Sequence, residues 1–312
     1  MRRLLNAAEE FEPRGVLVAA SRSLLSFAEL TVLLSNSDRL LFGIAPYAPT
    51  RELCSGVGGL SLWCVTGVGP QSHSAGRIIA IVILTGVIAG ICPRWLCIPH
   101  WYVAFSLATR MSAVNGGEEA AQIFTLLLIP FFLGDTRTWH WQQSDRPLPP
   151  AWRGSSYAAQ LTLRCQIIII YVDAALSKLM FPSWQQGTAV RTIFHDPECG
   201  LPMGLRAIAD RLLGPIWISA AVTWSVVLME LCIGVSMMFR VRIRRRGLAL
   251  AIILHMAIIL AMGLFSFGLI MISILMAVCG TGSQEGARGR GPTVIPPGAG
   301  SRSTVQGTIA RT

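Results

Sequence analysis

From residue 15 to residue 280 the chain is a series of apolar runs separated by short polar stretches. GVLVAASRSLLSFAELTVLL fills 15–34 and RIIAIVILTGVIAGIC fills 77–92. An amphipathic third run, PHWYVAFSLATRMSAV, covers 99–114, and AAQIFTLLLIPFFLG covers 120–134. The fifth spans 157–180, PIWISAAVTWSVVLMELCIGVSMMF spans 215–239, and a last block spans 247–280. A membrane-crossing helix needs roughly 20 apolar residues, so several runs are short, and the last block is too long for one upright span and short for two. The pattern predicts an all-α fold, a polytopic transmembrane helical bundle of about seven or eight membrane segments, some short or broken.

Only 13% of the residues are charged and 53% are hydrophobic, whereas soluble domains average about 25% charged. The formal charge of +10 does not point to nucleic acid. The arginines lie between apolar runs and in the tail, with no basic stripe interleaved with aromatics. They read instead as an orientation signal. RVRIRRR at 240–246 and Arg2, Arg3 and Arg14 should be cytoplasmic, and six crossings between them agree. Loops 35–76 and 181–214 should then face outward. Residues 1–14 form a cytoplasmic N-terminus, 15–280 the membrane domain, and 281–312 a Gly/Pro/Ser-rich basic tail expected to be disordered. The first run has no small-residue cleavage site and is not a removable signal peptide.

Cys54 and Cys64 both fall in the large outward loop, where a disulfide would staple it; the alternative is two free thiols against the bundle. Cys92, Cys97 and His100 in CPRWLCIPH have imperfect spacing for zinc, and no metal site is expected there.

Ionisable residues inside the apolar runs are Arg22, Glu29, Arg110, Arg164, Asp173, Lys178, Glu230 and His255. Each costs about 2.5–3.5 kcal/mol or more at the bilayer centre, so they should face one another or a wet cavity. Arg22, Glu29, Arg110, Arg164, Asp173 and Glu230 are expected to form a buried polar network, in which Glu230, a lone acid in its run, needs either a cationic partner or a proton. His255, Met262 and Ser266 share a face if their helix continues, but Gly263 and Gly268 are candidate breaks, and the alternative for His255 is a satisfied packing histidine.

Lys178 is the only lysine among 26 lysines and arginines. Arginine serves equally well where only charge is needed. It cannot act as a base, because its pKa stays above about 12, whereas a desolvated lysine releases its proton more readily. The alternative for Lys178 is snorkelling from a helix end to the interface.

IIYVDAALSKLMFPSWQQGTAV resembles the signature helix of the HTTM superfamily, the membrane domain shared with vitamin K-dependent gamma-carboxylases. HMAIILAMGLFSFGLIMISIL is similar to that family's late His and aromatic-Ser-aromatic run. The block starting at His100 resembles its middle segment, whose Asn-Gly-Gly-acid step is Asn115, Gly116, Gly117 and Glu118 here. The order of segments and CSGVGGLSLWC look most like the SdpB family, multipass proteins in the maturation of a secreted antimicrobial peptide. This resemblance implies a secreted precursor peptide and an SdpA-like protein as partners besides the bilayer. It also implies a catalytic group of Lys178, His255 and His100, with Lys178 as a base, and a reduced quinone as the cofactor to consider. Departures from the carboxylases stand against glutamate carboxylation: they carry a large extramembrane C-terminal domain where a short tail is read here, their lysine pair is Ser177-Lys178 here, and the spacing to Trp184 is one residue longer. A non-catalytic membrane scaffold or immunity-type protein is the other function class. A base at Lys178 predicts that Lys178→Arg is inactive and that Lys178→Ala inserts at least as well as the parent.

Overall fold

The computed structural model describes residues 2–42, 54–66, 70–111, 116–144, 147–197 and 200–280. Its main helices are α1 (Val16–Ser35), α2 (Pro70–Ala89), α3 (Pro93–Arg110), α4 (Gly116–Leu133), α5 (Pro150–Lys178), α6 (Ile216–Ser236), α7 (Val241–Met262) and α8 (Phe265–Gly280). Among the described residues there is no strand, only one isolated bridge between Ile91 and Trp139. Helices α1, α4, α5, α6 and α7 are long and apolar enough to cross a membrane, while α8 and the Ala75–Ala89 part of α2 are shorter apolar helices. The molecule is an all-α helical bundle of membrane type. The 281–312 tail lies outside the described residues.

The long apolar block at 247–280 is two helices. Gly263 ends α7 in the left-handed region, φ 68°, with its N–H donating to the Ile259 carbonyl at 2.9 Å. Glycine reaches this conformation without the clash a Cβ would bring. At Gly268 a Cβ would stand 2.6 Å from Ile259 Cγ1, so the missing side chain lets α8 fold back tightly on α7. Helix α8, 16 residues and about 24 Å long, is too short for an upright span. It is buried along nearly its whole length from Gly268 to Gly280, as expected of a helix that is apolar all round. Helix α1 packs along it, and a Cβ at Gly280 would lie 3.0 Å from Leu17 and Val18.

The loops gather at two ends. At the basic end, Arg14 donates to Glu12 at 2.6 Å and lies 3.8 Å from Asp135, which also pairs with Arg137 at 2.7 Å. Glu12 accepts the Leu148 amide at 3.1 Å, so the N-terminal segment is tied to the α4–α5 loop. Burial pushes the Glu12 carboxyl up, but Arg14 and the amides outweigh it and hold it below its ordinary range. Burial pulls the Arg14 guanidinium down, but Glu12 and Asp135 outweigh it and raise it. His140, in the same loop, is packed over Gly90 and is pushed down to about 4, by burial first and then by Arg22 and Arg137. It is a neutral packing histidine. Residues 240–246 reach the same end, where the Cys279 thiol donates to the Arg244 carbonyl at 3.4 Å.

At the opposite end Cys54 and Cys64 form a disulfide, with Cα atoms 5.8 Å apart. Trp63 beside it is buried against Phe42, ring centroids 4.8 Å apart. The loop is clamped to α3 by Leu62 N–H donating to Ser106 Oγ at 2.9 Å and by Tyr102 O–H donating to the Leu60 carbonyl at 2.8 Å. Closing so short a loop stabilises the fold by about 2–3 kcal/mol. Thiol mapping in membranes should find Cys54 and Cys64 unreactive until reduction and reactive together afterwards. Labelling of both before reduction would show that no bridge forms.

Candidate intramembrane site

Helix α5 buries one face through Ser156, Ala159, Leu163, Ile167, Tyr171 and Ala175, a row of three- and four-residue steps. Lys178 extends this row, because seven residues make nearly two whole turns after Tyr171. Its ammonium therefore turns into the bundle. Nζ donates to Glu230 Oε1 at 2.8 Å and to the Ala174 carbonyl at 3.1 Å, and lies 5.4 Å from the Trp184 ring centroid. The Glu230 side chain is 10% exposed and that of Lys178 24%. Glu230 comes from the buried face of α6. One turn further on, Gly234 lets α5 and α6 approach: a Cβ there would meet Tyr171 Cβ and Val172 Cγ2 at 3.3 Å.

The chain after Lys178 does not run straight out as a loop. Short helices Pro182–Gln185 and Ala189–Phe194 turn back along α6. Gly187, φ 74°, presents its carbonyl to Ser219 Oγ at 2.9 Å and Thr223 Oγ1 at 3.1 Å. Glu230 is fourteen residues, about 21 Å, from the start of α6. Lys178 thus reaches inward from the end of its helix, which is the reverse of snorkelling.

Two turns along α5 from Lys178, the Tyr171 hydroxyl and His255 Nε2 are hydrogen-bonded at 2.6 Å. The Phe267 ring packs edge-on to His255 at 5.5 Å, placed there by the break at Gly263. Ser266 donates to Glu118 Oε1 at 3.2 Å, linking the Gly-Gly-acid step to the aromatic-Ser-aromatic run. Glu230 is near enough for its charge to act on the Tyr171 hydroxyl. Glu230 Oε2 and His255 Nδ1 are buried with no hydrogen-bond partner among the described residues.

The other expected site residues are distributed differently. His100 Nε2 contacts Ser26 Oγ at 2.9 Å and Glu29 Oε2 at 3.0 Å, forming a separate polar knot between α1 and α3. The structure brings His255 to the Lys178 face of α5 but does not bring His100 there. Arg22 donates to the Pro93 carbonyl at 3.5 Å and stacks 4.5 Å above the Phe132 ring. Arg110, the last residue of α3, is half-buried beside Gly58. Arg164 is half-buried on α5, close enough to Cys279 to act on it electrostatically. Asp173 departs from expectation: it is exposed, because two residues on from Tyr171 is about 200° around the helix. Among the described residues these groups do not all meet: Glu29 pairs with His100 and Glu230 with Lys178, Arg22 bonds a carbonyl under a ring, and Asp173 faces out. Tyr171 was not singled out from sequence, although its seven-residue spacing from Lys178 was a signal that the two share a face.

These features define a polytopic helical membrane protein with a lysine–glutamate pair inside its bundle. The chain is 34% identical over 279 residues to sporulation-delaying protein SdpB of Bacillus subtilis (strain 168), covering 88% of this chain and 85% of that protein. It is 29% identical over 274 residues to the uncharacterized protein YitO of the same strain, covering 86% of each. The chain belongs to the SdpB family. No family model matches it, and no solved structure does.

Proposed function

We propose that this chain is the multipass membrane component of an SdpB-type system that matures or exports a secreted antimicrobial peptide, with Lys178–Glu230 as its working centre. The observation that supports this is the placement of the one lysine of an arginine-rich chain. It is turned inward onto a buried carboxylate, on the same helix face as the Tyr171–His255 pair. A lysine–glutamate pair in low dielectric can exchange one proton without moving net charge through the bilayer. The exchange leaves a free amine able to act as a base; arginine keeps its proton and cannot do this. A quinol headgroup entering here would find hydrogen-bonding partners in Glu230 Oε2 and His255 Nδ1, which have no partner among the described residues.

On this reading the basic end, with Arg14 and residues 240–246, faces the cytoplasm, and the disulfide end faces the oxidising side. The precursor peptide and an SdpA-like protein are its partners. A scaffold role is the second reading. It is favoured by the ammonium itself, whose contacts with Glu230, the Ala174 carbonyl and Trp184 are those of a structural ion pair. The mass and yield of the secreted peptide, compared between parent and Lys178→Arg proteins at equal membrane levels, separate the two. Base chemistry predicts no mature peptide from Lys178→Arg; full maturation would leave the scaffold role.

A further inference from the structure

Helix α5 turns a second row of residues outward, at four-residue intervals: Leu161, Cys165, Ile169, Asp173 and Ser177, all exposed. Asp173 has no hydrogen-bond or ion-pair partner among the described residues. Its depth follows from its neighbours. Tyr171, two residues earlier, bonds His255, which is eleven residues, about 16 Å, along α7 from Arg244 at the basic end. Asp173 also directly follows the apolar stretch IIIIYV of the same helix, which puts it within the depth of a hydrocarbon core of about 30 Å.

A carboxylate turned to acyl chains at that depth costs about 2.5–3.5 kcal/mol or more. The same molecule shows what a lipid-facing row looks like: α7 exposes Ile252, Ile253, Met256 and Leu260, all apolar. Nor does a cation among the described residues pair with Asp173. Lys178, the nearest along the helix, is turned to Glu230, and Arg22 is buried under Phe132.

We propose that this outward ridge of α5 is an intramembrane docking face for a membrane-spanning helix of a different polypeptide, which places a lysine or arginine against Asp173. A row at four-residue spacing packs into the grooves of a crossing helix, and the small Cys165 and Ser177 let backbones approach closely. A second copy of this chain does not meet the same requirement. Two-fold pairing sets the same patch against itself, which places Asp173 opposite Asp173 with no cation between them.

The test is site-specific photocrosslinking from a benzophenone amino acid at Ile169 in native membranes, with the same probe at Ile253 on α7 as the lipid-facing control. The expected result is one adduct from Ile169 with a different membrane polypeptide, crosslinked within about two turns of a lysine or arginine in its span. Ile253 should give no such adduct. Asp173→Asn should reduce the adduct at least tenfold, and Asp173→Lys should abolish it. Changing the partner's cation to aspartate should restore it in the Asp173→Lys protein. An adduct at twice this chain's mass, adducts to lipid alone, or an adduct unchanged by Asp173→Asn would each overturn the proposal. The readout is physical association, so it stands or falls independently of peptide maturation and of Lys178.

Discussion

Replacing Gly187 by alanine should cost the fold roughly 2–5 kcal/mol. About 1–2 kcal/mol comes from holding an L-residue in the left-handed region, where Gly187 sits at φ 74°. A further 1–3 kcal/mol, about what overpacking costs, comes from a Cβ placed 2.6 Å from both the Cα and Cβ of Ala220. The returning segment would have to lift from α6. That would strip Ser219 and Thr223 of their shared acceptor and move Trp184 from over Lys178. Thermal unfolding of purified protein in detergent should show a lowered midpoint, and less protein should accumulate in membranes. Adding Ala220→Gly should recover only the part of the collision due to the Ala220 Cβ, because its Cα stays 2.6 Å away, and none of the backbone part. An unchanged midpoint in Gly187→Ala would mean that the segment does not dock on α6 as described.

Lys178→Ala should also lower stability, and here the structure corrects what the sequence implied. Removing a charge from an apolar run lowers its transfer cost, which predicts that alanine inserts at least as well as lysine. The buried carboxylate of Glu230 remains behind, however. Stripping a buried ion pair of one partner costs about 3–5 kcal/mol, limited here by protonation of the acid. Lys178→Arg keeps the pair and should lose less. Glu230→Gln should also lose less than Lys178→Ala, since Lys178 keeps the Ala174 carbonyl and the Trp184 ring. The double variant Lys178→Met/Glu230→Leu should return to near parental stability, because an apolar pair of similar volume replaces two desolvated charges. Unfolding midpoints for Lys178→Met, Glu230→Leu and that double variant form a cycle whose coupling should be large and favourable. Strict additivity would show that the pair is not formed in the membrane.

Much of the architecture was legible in the chain. Apolar runs bounded by polar stretches located the main helices to within several residues, because a bilayer permits only segments that satisfy their own backbone groups. Gly263 was readable as a break because glycine alone takes a positive φ at no steric cost. The absence of any other lysine singled out Lys178, and the SdpB-like motifs placed it in its family.

Which polar groups meet was not legible, since periodicity gives the direction of a side chain on its own helix but not the helix that stands opposite. His100 was grouped with Lys178 and lies instead between Ser26 and Glu29. Asp173 was expected inside the bundle and faces out. Glu230, a lone acid in its run, could be assigned no partner until α5 and α6 were seen to close over Gly234. By itself, then, the sequence determined the main helices, made Gly263 a candidate break and set Lys178 apart as the one lysine. Only the tertiary structure decided that Lys178 turns inward to Glu230, because that depends on Gly187 docking the returning segment on Ala220 closer than a Cβ allows and on the tight approach of α5 and α6 at Gly234.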